Sequence, residues 1–270
     1  MNQAQSATEH ANNLGARSSF GEQLKFWRKR RGLSQLHLAQ SLGMSPRHLS
    51  FIETGRSRPG KAVVVRLSKA LTIPLRETNQ LMMAAGLAPI YEEQDHGQLS
   101  PFRDAVSSLI QKHDPYPAIV VNRWWDLVEA NRCAQMMFQN FQPGDNLYEF
   151  LFLQDEMRSV VENWPEVAWA SYQQLKDDVT LHSSDQRLQD LLQMVHNKMQ
   201  NVDEPSPDAA SGPAVMTRLN FNGMQLATTS MVARFNSPLD VHLSELKVEL
   251  IFPADPTTEQ FFKSLSGGVS

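Results

Sequence analysis

Residues 34–58, SQLHLAQSLGMSPRHLSFIETGRSR, admit few folds, because two helix starts and two helix stops fall within a short stretch. Ser34 is a good N-cap, and Leu38 and Leu42 follow four apart on one helical face. Ala39 lies beside them, small enough to let a second helix approach closely. Gly43 is the residue that most easily takes the left-handed turn ending a helix. Ser45 caps again, Pro46 takes the first helical position, and Leu49 and Ile52 turn inward before Gly55 stops the run. The second helix is expected three residues after the first one stops, which is helix-turn-helix spacing.

An ordinary αα-hairpin would share the apolar periodicity. The caps and turn glycine at the required spacing, the polar exposed positions of the second helix and the flanking basic residues favour a reader of the DNA major groove. Charge supports this once the chain is divided. The net value over 270 residues is -4, but Phe20 to Ile90 holds twelve Lys and Arg against Glu22, Glu53 and Glu77, a balance of +9. The remainder carries -13. A basic module joined to an acidic body suits a polyanionic partner for the first part and not for the second.

The single cysteine, Cys133, excludes an internal disulfide and reads as a small buried side chain rather than a nucleophile. The N-terminus is polar and lacks the apolar core of a secretory signal, and no apolar run approaches a bilayer span. A cytoplasmic protein without a membrane partner is expected.

Residues 1–18 read as a disordered polar tail, and residues 19–87 as a five-helix all-α domain. Its helices are expected over 20–31, the two of the motif, one bearing Val64, Leu67 and Leu71 that Pro74 breaks, and one from Leu75 to Ala85. Residues 88–114 read as a linker with one helix, on which Phe102, Val106, Leu109 and Ile110 repeat. Beyond them, 115–266 read as an α+β domain with one antiparallel sheet. Ala118 to Val121 reads as a buried strand, with Trp125 to Ala130 as its hairpin partner across Asn122-Arg123. In such a strand Trp124 and Trp125 would point to opposite faces, so at most one would be core. Helices are expected near 132–138, capped by Asn131, then near 146–152, 165–179 and 184–199, with a loop over 201–213. Val215 to Phe221 and Met224 to Phe235 flank the hairpin signal Asn222-Gly223, and His242 to Phe252 reads as a strand irregular near Ser244-Glu245. Pro253 ends that strand, and a closing helix is expected from about Glu259 to Leu265.

Residues 20–86 resemble the Cro/C1-type, or XRE-family, helix-turn-helix domain, with LSQLHLAQSLGMSPRHLSFIETGRSRP following that pattern without gaps. The resemblance implies that the leading end of the second motif helix, from Ser45 and Pro46, meets double-stranded operator DNA. Carried across by position, Arg47, Ser50 and Phe51 would face bases, with His48 near the backbone or groove wall. Arg47 would fork onto guanine N7 and O6, and Phe51 would touch a thymine methyl. Pro46 departs from the polar base-contacting residue often found there, which shifts direct readout toward Arg47. Gln35 would offer side-chain and backbone donors to a phosphate, and Arg56, Arg58 and Lys61 would add phosphate contacts. Glu53 points away from this role and is expected to pair with a neighbouring arginine.

A second resemblance spans about residues 100–265. PAIVVNRWWDLVEANRCAQMMF, NLYEFLF and ELKVELIFPADPTTEQFF are similar to the ligand-binding domain of MmyB-like transcription regulators, which joins a Cro/C1-type head to a PAS-like domain. The resemblance implies a cavity for a fatty-acyl or similar apolar ligand. Departures from the family lie in the long middle helices and the 201–213 loop. The residues themselves say less. Met136, Met137, Phe138, Phe141, Phe150, Phe152, Trp164 and Trp169 are large adaptable groups that either line such a cavity or fill the core under a sheet.

Catalysis has little support. His182 and His196 lack a companion metal-ligand motif, His113-Asp114 reads as a loop pair, and Glu162, Glu166, Asp177 and Asp178 read as solvated helix charges. No phosphate-cradling glycine loop, GxSxG or CxxC occurs. The expectation is a DNA-binding transcription regulator, without catalytic residues, metal or cofactor, that senses a small apolar ligand and forms a homodimer. The alternative is a repressor or antitoxin-like protein whose C-terminal domain serves only protein interaction.

Overall fold

The computed structural model describes residues 19–93, 100–182, 185–205, 215–221, 223–235 and 238–266. The expected polar tail, most of the 201–213 loop and Asn222 lie outside them. The chain divides into two compact units, 1–93 with 239–241, and 94–238 with 242–270.

The first unit holds α1 (Phe20–Arg30), α2 (Gln35–Ser41), α3 (Pro46–Glu53), α4 (Lys61–Ala70) and α5 (Leu75–Ala84). Local chemistry sets the boundaries. Ser19 and Glu22 form a capping box, the Ser34 hydroxyl accepts from the His37 N–H, and the Ser45 hydroxyl accepts from the His48 N–H. Gly43 at φ +61° and Gly55 at φ +73° end α2 and α3 in the left-handed region. The α4–α5 corner departs from expectation, since Thr72 at φ +48° makes the turn before Pro74, which caps α5. Leu24, Leu38, Leu49, Ile52, Leu67 and Leu71 form the centre of the core, each essentially inaccessible. Gly21 is where α1 meets the end of α3: a Cβ there would sit 2.2 Å from the Glu53 carbonyl oxygen.

The second unit opens with α6 (Ser100–Lys112), β1 (Ala118–Val121) and β2 (Leu127–Ala130). Four helices follow the short α7 (Arg132–Met137): α8 (Leu147–Leu153), α9 (Asp155–Val160), α10 (Trp164–Leu181) and α11 (Gln186–Met199). The chain then forms β3 (Thr217–Phe221), β4 (Met224–Ala233), α12 (Val241–Glu245), β5 (Lys247–Pro253) and α13 (Pro256–Ser266). The sheet is antiparallel between all neighbours in the order β2-β1-β5-β4-β3. Alternation along the strands separates two cores. Ile119, Val121, Leu127, Leu219 and Leu226 pack with the helical middle of the chain, while Ala118, Val120, Val248 and Leu250 pack on Val106 and Ile110 of α6. Phe102 and Leu109, expected on that buried face, are exposed.

Two strand expectations fail for identifiable reasons. Trp124 and Trp125 lie in a turn rather than in β2, because the Asn122 side chain accepts from the backbone of Trp124 and Asp126 at 2.9 and 3.0 Å. Trp125 is thereby held at φ +68°, a conformation costly for a large side chain. His242 to Glu245 is helical, so β5 begins only at Lys247. The expected cap Asn131 does cap α7, and its fully buried amide also holds the Ala118 N–H and the Ile110 and Tyr116 carbonyls.

Candidate nucleic-acid interface and ligand cavity

The leading end of α3 is presented outward. Ser45, Pro46, Arg47 and His48 are exposed, while Ser50 and Phe51 are half-buried. Two guanidinium groups lie over the Phe51 ring, Arg47 at 5.3 Å and Arg56 at 5.9 Å from its centroid. Phe51 thus serves as a plate on which Arg47 and Arg56 are pre-oriented. Arg58 and Lys61 are exposed beside them. All these candidate DNA residues share the first unit.

Behind this surface Glu53 forms a buried ion pair, not with a neighbouring arginine as expected but with Arg28 of α1. Glu53 receives Arg28 Nε at 2.6 Å and Arg28 Nη2 at 3.0 Å, a two-pronged contact that locks α3 onto α1. The remaining Arg28 nitrogen donates to the Leu33 carbonyl at 2.8 Å. Gln35 also donates its amide to Glu53 at 2.6 Å, so the side chain expected at a phosphate is tied inward, leaving one amide hydrogen and its backbone N–H. The hydrogen bond with Glu53 raises the Arg28 pKa. Burial alone would raise the Glu53 pKa, yet the Arg28 and Gln35 hydrogen bonds outweigh it and hold the carboxyl below its usual range.

The second unit holds a cavity of about 180 Å³ between the sheet and α8–α10. Met137, Phe138, Phe141 and Phe150 from the expected cluster line it, together with Ile119, Trp125, Leu219 and Ile251. Four expected residues do not. Met136 faces solvent on the opposite side of the short α7, and Phe152 and Trp164 are packed edge to face at 5.5 Å in the core. Trp169 is half-buried, its indole N–H donating to the Val202 carbonyl at 3.2 Å. A one-residue step along a helix rotates a side chain by about 100°, and neighbours therefore part company.

Asp178 reverses an expectation. Far from being a solvated helix charge, it is buried and accepts from the Trp125 indole N–H at 2.8 Å and from the Lys247 ammonium. The ammonium also lies 3.6 Å from the centre of the Trp125 ring. Burial brings the Lys247 pKa down to about 8 despite Asp178. Burial pushes the Tyr148 hydroxyl well up, and its proton is directed to the Ser171 carbonyl at 2.9 Å. Cys133, buried as expected, has its thiol pushed up to about 12 by burial, the state of an inert side chain. Among the described residues no group of three or more His, Cys, Asp or Glu is placed to hold a metal ion, and no helix is long and apolar enough to cross a membrane.

The ligand-binding domain model of MmyB-like transcription regulators matches residues 102–265, and a helix-turn-helix model matches residues 24–77. The chain is 31% identical over 145 residues to the HTH-type transcriptional repressor RghR of Bacillus subtilis (strain 168), a match covering 52% of this chain and 94% of that protein. A solved structure of an RNA-binding Light-Oxygen-Voltage receptor aligns over 98% of this chain and 67% of its own, with 11% identity and a TM-score of 0.28, too distant for a shared fold to be read from it.

Proposed function

We propose, from the premise that this chain belongs to the MmyB-like transcription regulators and is a DNA-binding regulator rather than an enzyme, that it binds an operator as a homodimer and releases or holds it according to an apolar, fatty-acyl-like ligand. The cavity carries the ligand half of this reading. An apolar void of about 150 Å³ suffices to bind benzene, and the present one is of about 180 Å³ and lined by aromatic and methionine side chains. Control requires the ligand to favour one arrangement of the regulator over the other. Extraction of the purified protein followed by mass spectrometry tests occupancy; a reproducibly empty protein that binds no aliphatic compound ends the sensor reading. No other cofactor enters, and the reading places the protein with its DNA in the cytoplasm.

On the DNA side, Arg47, with Ser50 and Phe51, is proposed to read bases, while Gln35, His48, Arg56, Arg58 and Lys61 hold phosphates around the cap formed by Ser45 and Pro46. Arg47→Ala should cost about 1–3 kcal/mol on the matched operator and relax preference at one base position. Arg58→Ala should weaken all sequences similarly and flatten the salt dependence. Isotherms on matched and mismatched duplexes at two salt concentrations measure both; an Arg47→Ala protein with unaltered base preference refutes the assignment. The description of the relative as a repressor favours repression as the output.

A small head reads few bases, and pairing two heads on a palindrome is the usual solution. Phe102, Leu109 and Met231 are exposed on the α6 side of the sheet. A second copy would pack on these exposed apolar side chains. Leu109→Lys should shift a sedimenting dimer to monomer at equal protein concentration, and a dimer unmoved by it would place the interface elsewhere.

A further inference from the structure

The cavity has a polar end with a definite chemical preference. Of its lining residues, Gln174 on α10 and Ser230 on β4 are exposed, and they mark where it opens. Glu249 of β5 stands beside Ser230, which donates to its carboxylate. Neighbouring strands hold this pair in register, Ser230 being opposite Ile251 and Val232 opposite Glu249. Glu249 is deeply set in the sheet, and its remaining accessible surface is offered to the cavity.

Among the described residues no lysine, arginine or histidine lines this space. Lys247, two residues along the same strand face, is already engaged, its ammonium bound to Asp178 and seated on the Trp125 ring. Arg234 approaches the same Asp178, at 3.9 Å. The donors of Tyr148 and Trp125 are already committed to the Ser171 carbonyl and Asp178. A ligand carboxylate entering here would lose its hydration, meet a second carboxyl and find only neutral donors such as Gln174 among the described lining residues, an unfavourable exchange. A head group that donates a hydrogen bond would instead satisfy the Glu249 carboxyl oxygen. Burial pushes the Glu249 carboxyl up, with the Ser230 hydrogen bond opposing it only in part, as for an acceptor short of donors.

We infer that the cavity selects a long-chain amphiphile whose head donates a hydrogen bond, an alcohol, primary amide or amine, and rejects the free fatty acid, with Glu249 as the specificity-determining residue. This rests on the ligand-sensing reading and narrows it. The test titrates the full chain with 1-decanol, decylamine and decanoate near neutral pH, following tryptophan fluorescence and calorimetry. Decanol and decylamine should bind at least about tenfold tighter than decanoate, a difference of about 1.4 kcal/mol. In Glu249→Gln, decanoate should gain about tenfold and decylamine should weaken. Decanoate binding as tightly as the other two to the unaltered protein overturns the inference while leaving sensing intact. Binding by none of the three removes the sensing reading and the inference with it. The unaltered protein alone decides the head-group order, so a poorly folded variant would not rescue the idea.

Discussion

Glu53→Ala should destabilise the DNA-binding unit by about 3–5 kcal/mol, the cost of leaving one member of a buried ion pair alone. The Glu53 side chain is only 2% exposed and accepts three hydrogen bonds, two from Arg28 and one from Gln35. Removing it strands the Arg28 guanidinium between α1 and α3. A small domain has a total stability of about 5–15 kcal/mol, so the unit would be brought to the edge of unfolding and operator binding would fall with it. Native-state hydrogen exchange of the α1 and α3 amides in the full chain measures the effect without requiring a single unfolding transition. A cost under about 1 kcal/mol, as for an exposed pair, would show that the contact is dispensable. The double replacement Arg28→Met with Glu53→Met should recover much of the loss, since apolar substitution of both partners removes the stranded charge.

The same pair sets a pH dependence. The folded-state pKa of Glu53 lies below its unfolded value, so its contribution is complete above the ordinary carboxylate range and is lost as pH falls through the folded value. Exchange protection in α1 and α3 should decline on that acid limb, and the Glu53→Ala protein should lack that part of the decline.

Asp178→Ala should cost the second unit a similar amount, about 3–5 kcal/mol, because it leaves the Lys247 ammonium buried without its counter-charge. The Trp125 indole N–H would lose its acceptor at the same time. Trp125 sits at φ +68° and lines the cavity, so its ring is free to leave that strained position once the tether is cut. Protection of the β5 and α10 amides should fall, and Lys247→Met added to Asp178→Ala should restore much of it. If the double variant is no more stable than Asp178→Ala, the stranded ammonium is not the cause, and the loss belongs to the indole alone.

The head was legible because its determinants are local. A serine hydroxyl reaching a backbone N–H three residues on, and a glycine in the left-handed region, are contacts within one turn of chain, and both are written in Ser34, Gly43, Ser45 and Gly55. The partner of Glu53 was not legible, since it lies 25 positions earlier and only the α1–α3 crossing at Gly21 brings it close. In the second unit β1 followed from its apolar run and β4 from the Asn222-Gly223 turn signal, but α9 and α12 are too short for a periodic signal to rise above their flanks. Trp125 read as a strand residue because the hairpin turn was read at Asn122-Arg123 alone, whereas the Asn122 side chain extends that turn through Trp125.

By itself, then, the order of residues determined the capped helices, the basic head and acidic body, the five-stranded α+β character of the remainder and the family to which both parts belong. Which aromatic side chains line a void and which are packed solid was decided only by the tertiary structure. So was the burial of Asp178 against Lys247, 69 positions apart, and the placing of Glu249 beside Ser230. The reason is one of range: caps and turns are energies between near neighbours on the chain, whereas a cavity and its charge are sums over strands and helices that meet only once the sheet has closed its register.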